Sequence, residues 1–286
     1  MDFSLTPHHL NIPALLRQHG IHPNKKLGQN FLIDSASLLK VVEAAELQPQ
    51  DYVLEVGAGL GNLTRYLAEL TQQVVAVELD ERLISILRQV LQPFTNVHVI
   101  QGDILSLDPA ALFQPSPPSS YQVVANIPYY ITSALIRHLL EAKPPPQRIC
   151  LTVQYEVAER ICTAPGDLSL LALSVQLYGS PRIAARIPAG AFYPPPKVDS
   201  AVVRVDLHAQ PLLPSNQIDT FFQLAKAGFS QKRKTLRNAL IHNMLLSPSQ
   251  AEKLLLSAGI DPQRRAETLS LADWAALVNQ YLSSTQ

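Results

Sequence analysis

The feature that most constrains this chain begins at residue 52. There the run YVLEV opens directly into three glycines (57, 59 and 61), and apolar runs then alternate with helical periodicity for a hundred residues. The runs at 52–56, 74–79, 97–100, 121–126 and 148–154 read as strands. The segments 62–70, 81–91, 132–140 and 156–161 read as helices. The strands are apolar along their whole length, so both faces of each must be covered. Strands and helices that alternate in this way build a parallel sheet with helices on both sides, and the predicted class is α/β.

The flanking regions read differently. A short helix is expected over 11–20, a break at His22-Pro23-Asn24, and a helix over 35–46 with Leu38, Leu39, Val42 and Ala45 on one face. The Pro- and Ser-rich segment 113–120 reads as an exposed loop. Beyond 165, LSLLALSVQLYG fits a helix or a buried strand equally. FYPPPKVDS is a rigid turn, and 202–207 is a strand expected to close the sheet as an antiparallel edge. From Pro214 onward the pattern is helical, over 216–243, 248–258 and 270–282. With Pro211 and Pro214 as punctuation, the expected domains are 1–210 and a smaller, all-helical 211–286.

Composition narrows the class. Hydrophobic residues make up 47% of the 286, enough for a sizeable core, and 23 basic side chains balance 23 acidic ones. A nucleic-acid partner would therefore require clustered cations. Cys150 and Cys162 lack Cys-x-x-Cys spacing and read as reduced thiols, with no metal expected. No apolar run reaches membrane-spanning length, the first residues lack a secretory pattern, and a cytoplasmic protein is expected.

The strand ends define a candidate crevice. Glycine after a strand permits a tight turn and close approach to a ligand. Such a loop also suits a dinucleotide, or no ligand at all. Glu55 stands just before Gly57 and Gly59, where a carboxylate would repel a pyrophosphate but suit the sulfonium and amino groups of S-adenosylmethionine. Glu78 ends the second strand, where an acid accepts from ribose hydroxyls. Asp103 follows the third strand and can accept from an adenine amino group, with the Ile104 backbone beside the ring; taken alone, Asp103 is also a reasonable helix N-cap.

The fourth strand ends in NIPYY, residues 126–130. An adenine amino nitrogen is a poor nucleophile because its lone pair is delocalised into the ring. The Asn126 side-chain carbonyl, with a backbone carbonyl of Ile127 or Pro128, can accept both amino hydrogens and localise that pair. Pro128 fixes the backbone and removes a competing donor. Tyr129 offers a stacking face worth on the order of 1–3 kcal/mol. Catalysis would rest on alignment rather than on a strong base, and the base would have to leave its helix. An ordinary strand-ending Asn-x-Pro turn is the plain alternative.

Lys232, Arg233, Lys234 and Arg237, with Lys226 nearby, form the densest basic cluster. On a helix Arg233 and Arg237 share a face, which suits phosphates, although charge runs are often only solvated faces. Lys25 and Lys26 form a weaker basic site, and His8, His9, His19 and His22 read as surface residues.

Taken together, KKLGQNFL, LEVGAGLGNLT, VELD, GDIL, NIPYYIT, QYEVAERI, FYPPPKVDSAVVR and FSQKRKTLRNAL resemble the ribosomal RNA adenine dimethyltransferases of the kasugamycin-resistance type, over about residues 22–243. The resemblance implies a Rossmann-like methyltransferase domain with a cofactor-covering segment at 1–48, and a C-terminal helical domain that binds RNA. It implies S-adenosyl-L-methionine as cofactor, and dimethylation of two adjacent adenosines in the terminal hairpin loop of small-subunit rRNA within a pre-ribosomal particle, by a monomer. It also puts Gln29, Asn30 and Leu32 at the methionine end of the cofactor, and Phe192 against the target base. Two departures stand out: Tyr130 where the family commonly has Asn, and a shortened loop after Gly166. The alternatives are a large-subunit rRNA methyltransferase of the macrolide-resistance type, a ribosome-assembly or transcription factor on the same fold, and a DNA or protein amide methyltransferase.

Overall fold

The computed structural model describes residues 10–115, 118–231 and 233–285. In chain order the elements are α1 (Ile12–Gln18), β1 (Phe31–Leu32), α2 (Ser35–Ala45), β2 (Tyr52–Val56), α3 (Asn62–Leu70), β3 (Gln73–Glu78), α4 (Glu81–Leu91), β4 (Val97–Gln101), β5 (Gln122–Asn126), α5 (Thr132–Leu140), β6 (Arg148–Gln154) and α6 (Tyr155–Ile161). There follow α7 (Leu170–Tyr178), β7 (Gly179–Ile187), β8 (Phe192–Tyr193), β9 (Ser200–Leu207), α8 (Ser215–Phe229), α9 (Leu236–Met244), α10 (Pro248–Ser257) and α11 (Leu271–Thr285).

Packing divides the chain into a unit of residues 1–158 and 181–207 and a second of 159–180 and 208–286. This differs from the expected division at 210/211. Residues 159–180 group with the C-terminal helices because Leu168, Leu173 and Leu177 join their core.

In the first unit a seven-stranded sheet runs in the order β4, β3, β2, β5, β6, β9, β7. The strands from β4 to β6 are parallel, and β9 pairs antiparallel with β6, Arg148 opposite Asp206 and Gln154 opposite Ser200. The antiparallel partner was expected, but it is not the edge. The strand β7, unread in the sequence, occupies that place, and the ambiguous segment before it is the helix α7.

The Asp34 side chain caps α2 at its start, and the sheet holds its other end. Arg148 Nη1 donates to the Ala45 carbonyl at 2.6 Å and Arg204 Nη1 to that of Ala44 at 3.1 Å. These are carbonyls that a helix end leaves without partners. Arg204, buried, also pairs with Glu46 at 2.6 Å and with Asp206 at 2.8 Å. The segment 113–120 is not wholly exposed: Phe113 is buried against Tyr52 and Tyr121, while Ser116 and Pro117 lie outside the described residues.

The second unit is helical, built around Phe221, Leu236, Leu255, Trp274 and Leu277. A Cβ at Gly228 would lie 2.8 Å from the Trp274 ring, so glycine there lets α8 approach α11 closely. The single helix expected over 216–243 is two helices. It stops at Phe229, and Thr235 caps α9 by accepting from the Asn238 N–H at 3.4 Å. Asn243 ties the pair together by donating to Ser230 Oγ at 2.8 Å.

Candidate active site

The crevice lies at the carboxyl ends of the parallel strands, where doubly wound sheets bind ligands. After β2 the chain turns through Gly57, Gly59 and Gly61, with φ of 73°, 62° and 84°. These are left-handed values that side-chain-bearing residues seldom adopt. At Gly59 the space is also closed, because a Cβ there would lie 3.0 Å from the Phe31 ring.

Glu78 ends β3, buried beneath this turn. One carboxylate oxygen accepts from the Gly59 N–H and the other from the Asp80 N–H, both at 2.8 Å. Burial raises its pKa, and these two bonds oppose the rise. The same side chain lines the crevice, so it ties the glycine turn to a ligand-facing wall.

Glu55 behaves differently. It is buried, its Oε2 has no hydrogen-bond partner, and it does not line the crevice. Burial pushes its carboxyl up to about 8, with Thr64 opposing the rise and the Glu78 charge adding to it. Its place outside the crevice lining, where burial favours the uncharged carboxyl, corrects the expectation that it presents a carboxylate to a cationic ligand.

The third wall is the segment before β1. Its one-turn helix Lys25–Leu27 ends on Gly28 at φ 61°. Both ends of the Gln29 amide are bonded inside the protein. Its Nε2 donates to Asp80 at 2.8 Å and its Oε1 accepts from the Asn24 N–H at 2.7 Å. Gln29 thus latches this segment onto the end of β3, where Arg82 holds Asp80 with a 2.6 Å ion pair. The Asn30 carbonyl accepts from Asn126 Nδ2 at 3.1 Å, a second latch onto the end of β5.

At β5 the motif NIPYY continues this wall. Tyr129 is half-buried, its hydroxyl 2.7 Å from Ser200 Oγ, and burial raises its pKa. Its ring is therefore anchored from behind. The Pro128 carbonyl accepts from the Ile131 N–H at 3.2 Å. Asp103 does act as an N-cap, accepting from the Leu105 N–H at 3.0 Å, and it still lines the crevice together with Ile104.

The resulting cavity encloses about 960 Å³, its open mouth included. It brings together Gln29, Asn30, Gly57, Gly59, Glu78, Asp103, Ile104, Asn126, Pro128 and Tyr129. Leu32 and Phe192 are not in its lining. They pair with each other across a two-stranded sheet of β1 and β8, both buried in the core. Tyr130, the last residue of NIPYY, lines it too, and so do Phe31 and Leu79, which sequence reasoning missed. Leu79 is 44% exposed, and its apolar side chain directly after the strand-ending acid was the available signal. No lysine, arginine or histidine stands among the lining residues, while two carboxylates do. A pyrophosphate would find no counter-charge here. A ligand with a sulfonium and an amino group, plus a ribose and an adenine, fits this set of donors and acceptors.

The expected phosphate-binding cluster lies in the second unit. Lys232 lies outside the described residues. Arg233 and Lys234 sit in the turn between α8 and α9, so Arg233 does not share a helical face with Arg237. Arg237 is on α9 and pairs with Glu252 at 3.3 Å, a neighbour from α10 that sequence spacing could not reveal. Lys226 and Lys234 line a second concavity with Arg160 and Arg265. No helix among the described residues is long and apolar enough to cross a membrane.

A family model described as ribosomal RNA adenine dimethylase matches residues 21–282. Ribosomal RNA small subunit methyltransferase A of Dehalococcoides mccartyi is 45% identical over 267 residues, covering 93% of this chain and 91% of its own. The protein of the same name from Pelotomaculum thermopropionicum is 41% identical over 283 residues, covering 96% of each. Among solved structures, a dimethyladenosine transferase from Plasmodium falciparum superposes with a TM-score of 0.77 at 27% identity, covering 89% of this chain and 98% of its own. The 23S rRNA methyltransferase ErmE superposes at 0.70 with 30% identity, covering 88% and 99%.

Proposed function

The chain belongs to the ribosomal RNA adenine dimethylase family, and from that premise we propose that it dimethylates two adjacent adenosines in the 3′-terminal hairpin loop of small-subunit rRNA, as a monomer acting on a pre-ribosomal particle in the cytoplasm. The methyl donor in this reading is S-adenosylmethionine, whose sulfonium supplies an electrophilic methyl group when bound.

One observation supports the reading most directly. Asn126 stands in the same cavity as Glu78 and the glycine turn, with its amide nitrogen already committed to the Asn30 carbonyl. That bond leaves the Asn126 Oδ1 free to accept from a base amino group. Of the two backbone carbonyls considered, that of Pro128 is engaged by the Ile131 N–H, which favours Ile127 as the second acceptor. Two acceptors aimed at one NH₂ draw its hydrogens aside and leave the lone pair directed at the methyl group. The amino proton can leave after transfer, so positioning supplies the rate. Tyr129 holds the base by its ring, and its hydroxyl stays on Ser200. Glu78 takes the ribose hydroxyls and Asp103 the cofactor adenine, while Gln29 both positions the covering segment and borders the methionine end of the cofactor. In the second unit, Arg233 and Lys234 take RNA phosphates.

The small subunit is favoured over the large one because relatives at 41–45% identity bear a small-subunit name, while ErmE is at 30%. The test is methyl transfer from labelled cofactor to under-methylated small subunits, large subunits and naked RNA, with the modified bases mapped. Label at two adjacent small-subunit adenosines is expected, and label confined to large subunits would overturn the assignment.

A further inference from the structure

Tyr129 and Tyr130 are neighbours in sequence with opposite surroundings. Tyr129 is half-buried and its hydroxyl is bonded to Ser200. Tyr130 lines the same cavity but is 60% exposed, and among the described residues its hydroxyl has no partner. Its ring lies against Gly28: a Cβ there would meet Tyr130 Cδ1 at 3.3 Å. Gly28 ends the one-turn helix that bears Lys25 and Lys26, both exposed and, among the described residues, without an acidic partner. An aromatic ring at the mouth of the crevice is thus backed by a loop that offers two cations.

We propose that Tyr130 is a specificity-determining platform that stacks on the nucleotide next to the adenosine held in the pocket. The proposal rests on the adenine-methylating reading above. Drawing one base out of a stack uncovers the face of its neighbour, and a ring at the pocket mouth can cover that face while the backbone passes the cations. Two adjacent target adenosines make the requirement sharper, since each in turn is the neighbour of the other. Holding the second base near the mouth favours its entry after the first.

The test compares wild type with Tyr130→Ala, Tyr130→Phe and Tyr130→Asn on under-methylated small subunits. The readouts are KM for the particle, kcat, cofactor affinity by calorimetry, and the fraction of RNA modified at one adenosine against both. Tyr130→Ala and Tyr130→Asn are expected to raise KM about tenfold with a much smaller change in kcat, the loss of one base–aromatic stack. They should also enrich RNA modified at one adenosine only. Tyr130→Phe should match wild type, because the ring and not the hydroxyl does the stacking. Unchanged KM and product ratio in Tyr130→Ala would overturn the proposal. So would a loss of cofactor affinity in step with KM, which would assign Tyr130 to holding the Gly28 loop. If wild type methylated no small-subunit adenosine, the functional reading would fail instead; the two failures are therefore distinguishable.

Discussion

Asn126 Nδ2 donates to the carbonyl of Asn30 at 3.1 Å, joining the end of β5 to the segment that walls the other side of the crevice. The bond fixes which end of the Asn126 amide is left to the cavity. Asn126→Ala is expected to lower kcat by at least about a hundredfold while cofactor affinity stays within a few-fold, the pattern of an interaction made in the transition state. Single-turnover methylation with parallel calorimetry checks this. Retained turnover would remove Asn126 from catalysis.

Glu78 supports both the turn and the ligand wall. Glu78→Ala leaves the buried N–H groups of Gly59 and Asp80 without acceptors, at about 1–3 kcal/mol each. Cofactor affinity should fall at least about tenfold and the melting temperature should drop as well. A variant that binds as tightly as wild type would show that the carboxylate serves the fold alone.

Glu55 makes stability depend on pH. Its folded pKa, about 8, is raised above the ordinary value of 4.5, so the unfolded chain holds fewer protons across that window. The contribution is fully present below about 4.5 and is lost as pH rises through about 8. Glu55→Gln removes the titration. Its melting temperature relative to wild type should rise steadily between those limits in a series of thermal melts. A constant difference would mean that Glu55 is ionised in the folded protein.

The basic cluster divides by its partners. Arg233→Ala and Lys234→Ala should each reduce the salt slope of RNA binding by about one, as phosphate contacts do. Arg237→Ala should leave that slope alone and cost at most about 1 kcal/mol of stability through its pair with Glu252. Filter binding across a salt series and thermal melts separate the two. Equal slopes for all three variants would return Arg233 and Lys234 to solvated surface.

The alternation of apolar strands and helices was legible because it is local: a covered parallel strand must be apolar throughout, and a helix must show its period. The glycine turn, Glu78, Asp103 and NIPYY were legible for the same reason, since each residue type answers a need of its own backbone position. The break between α8 and α9 was nearly legible, because residues 230–235 include no apolar side chain, but helical formers on both sides masked it. Other features depend on groups that meet only in three dimensions. Only burial raises the Glu55 pKa, only packing turns Phe192 inward, and only folding brings Glu252 to Arg237. The strand β7 was hidden because its burial does not alternate simply along the run. The residue types that line this crevice can thus be read from sequence, but which of their atoms remain free for a ligand is settled by long-range partners, since each hydrogen bond made inside the fold removes a donor or acceptor from the crevice.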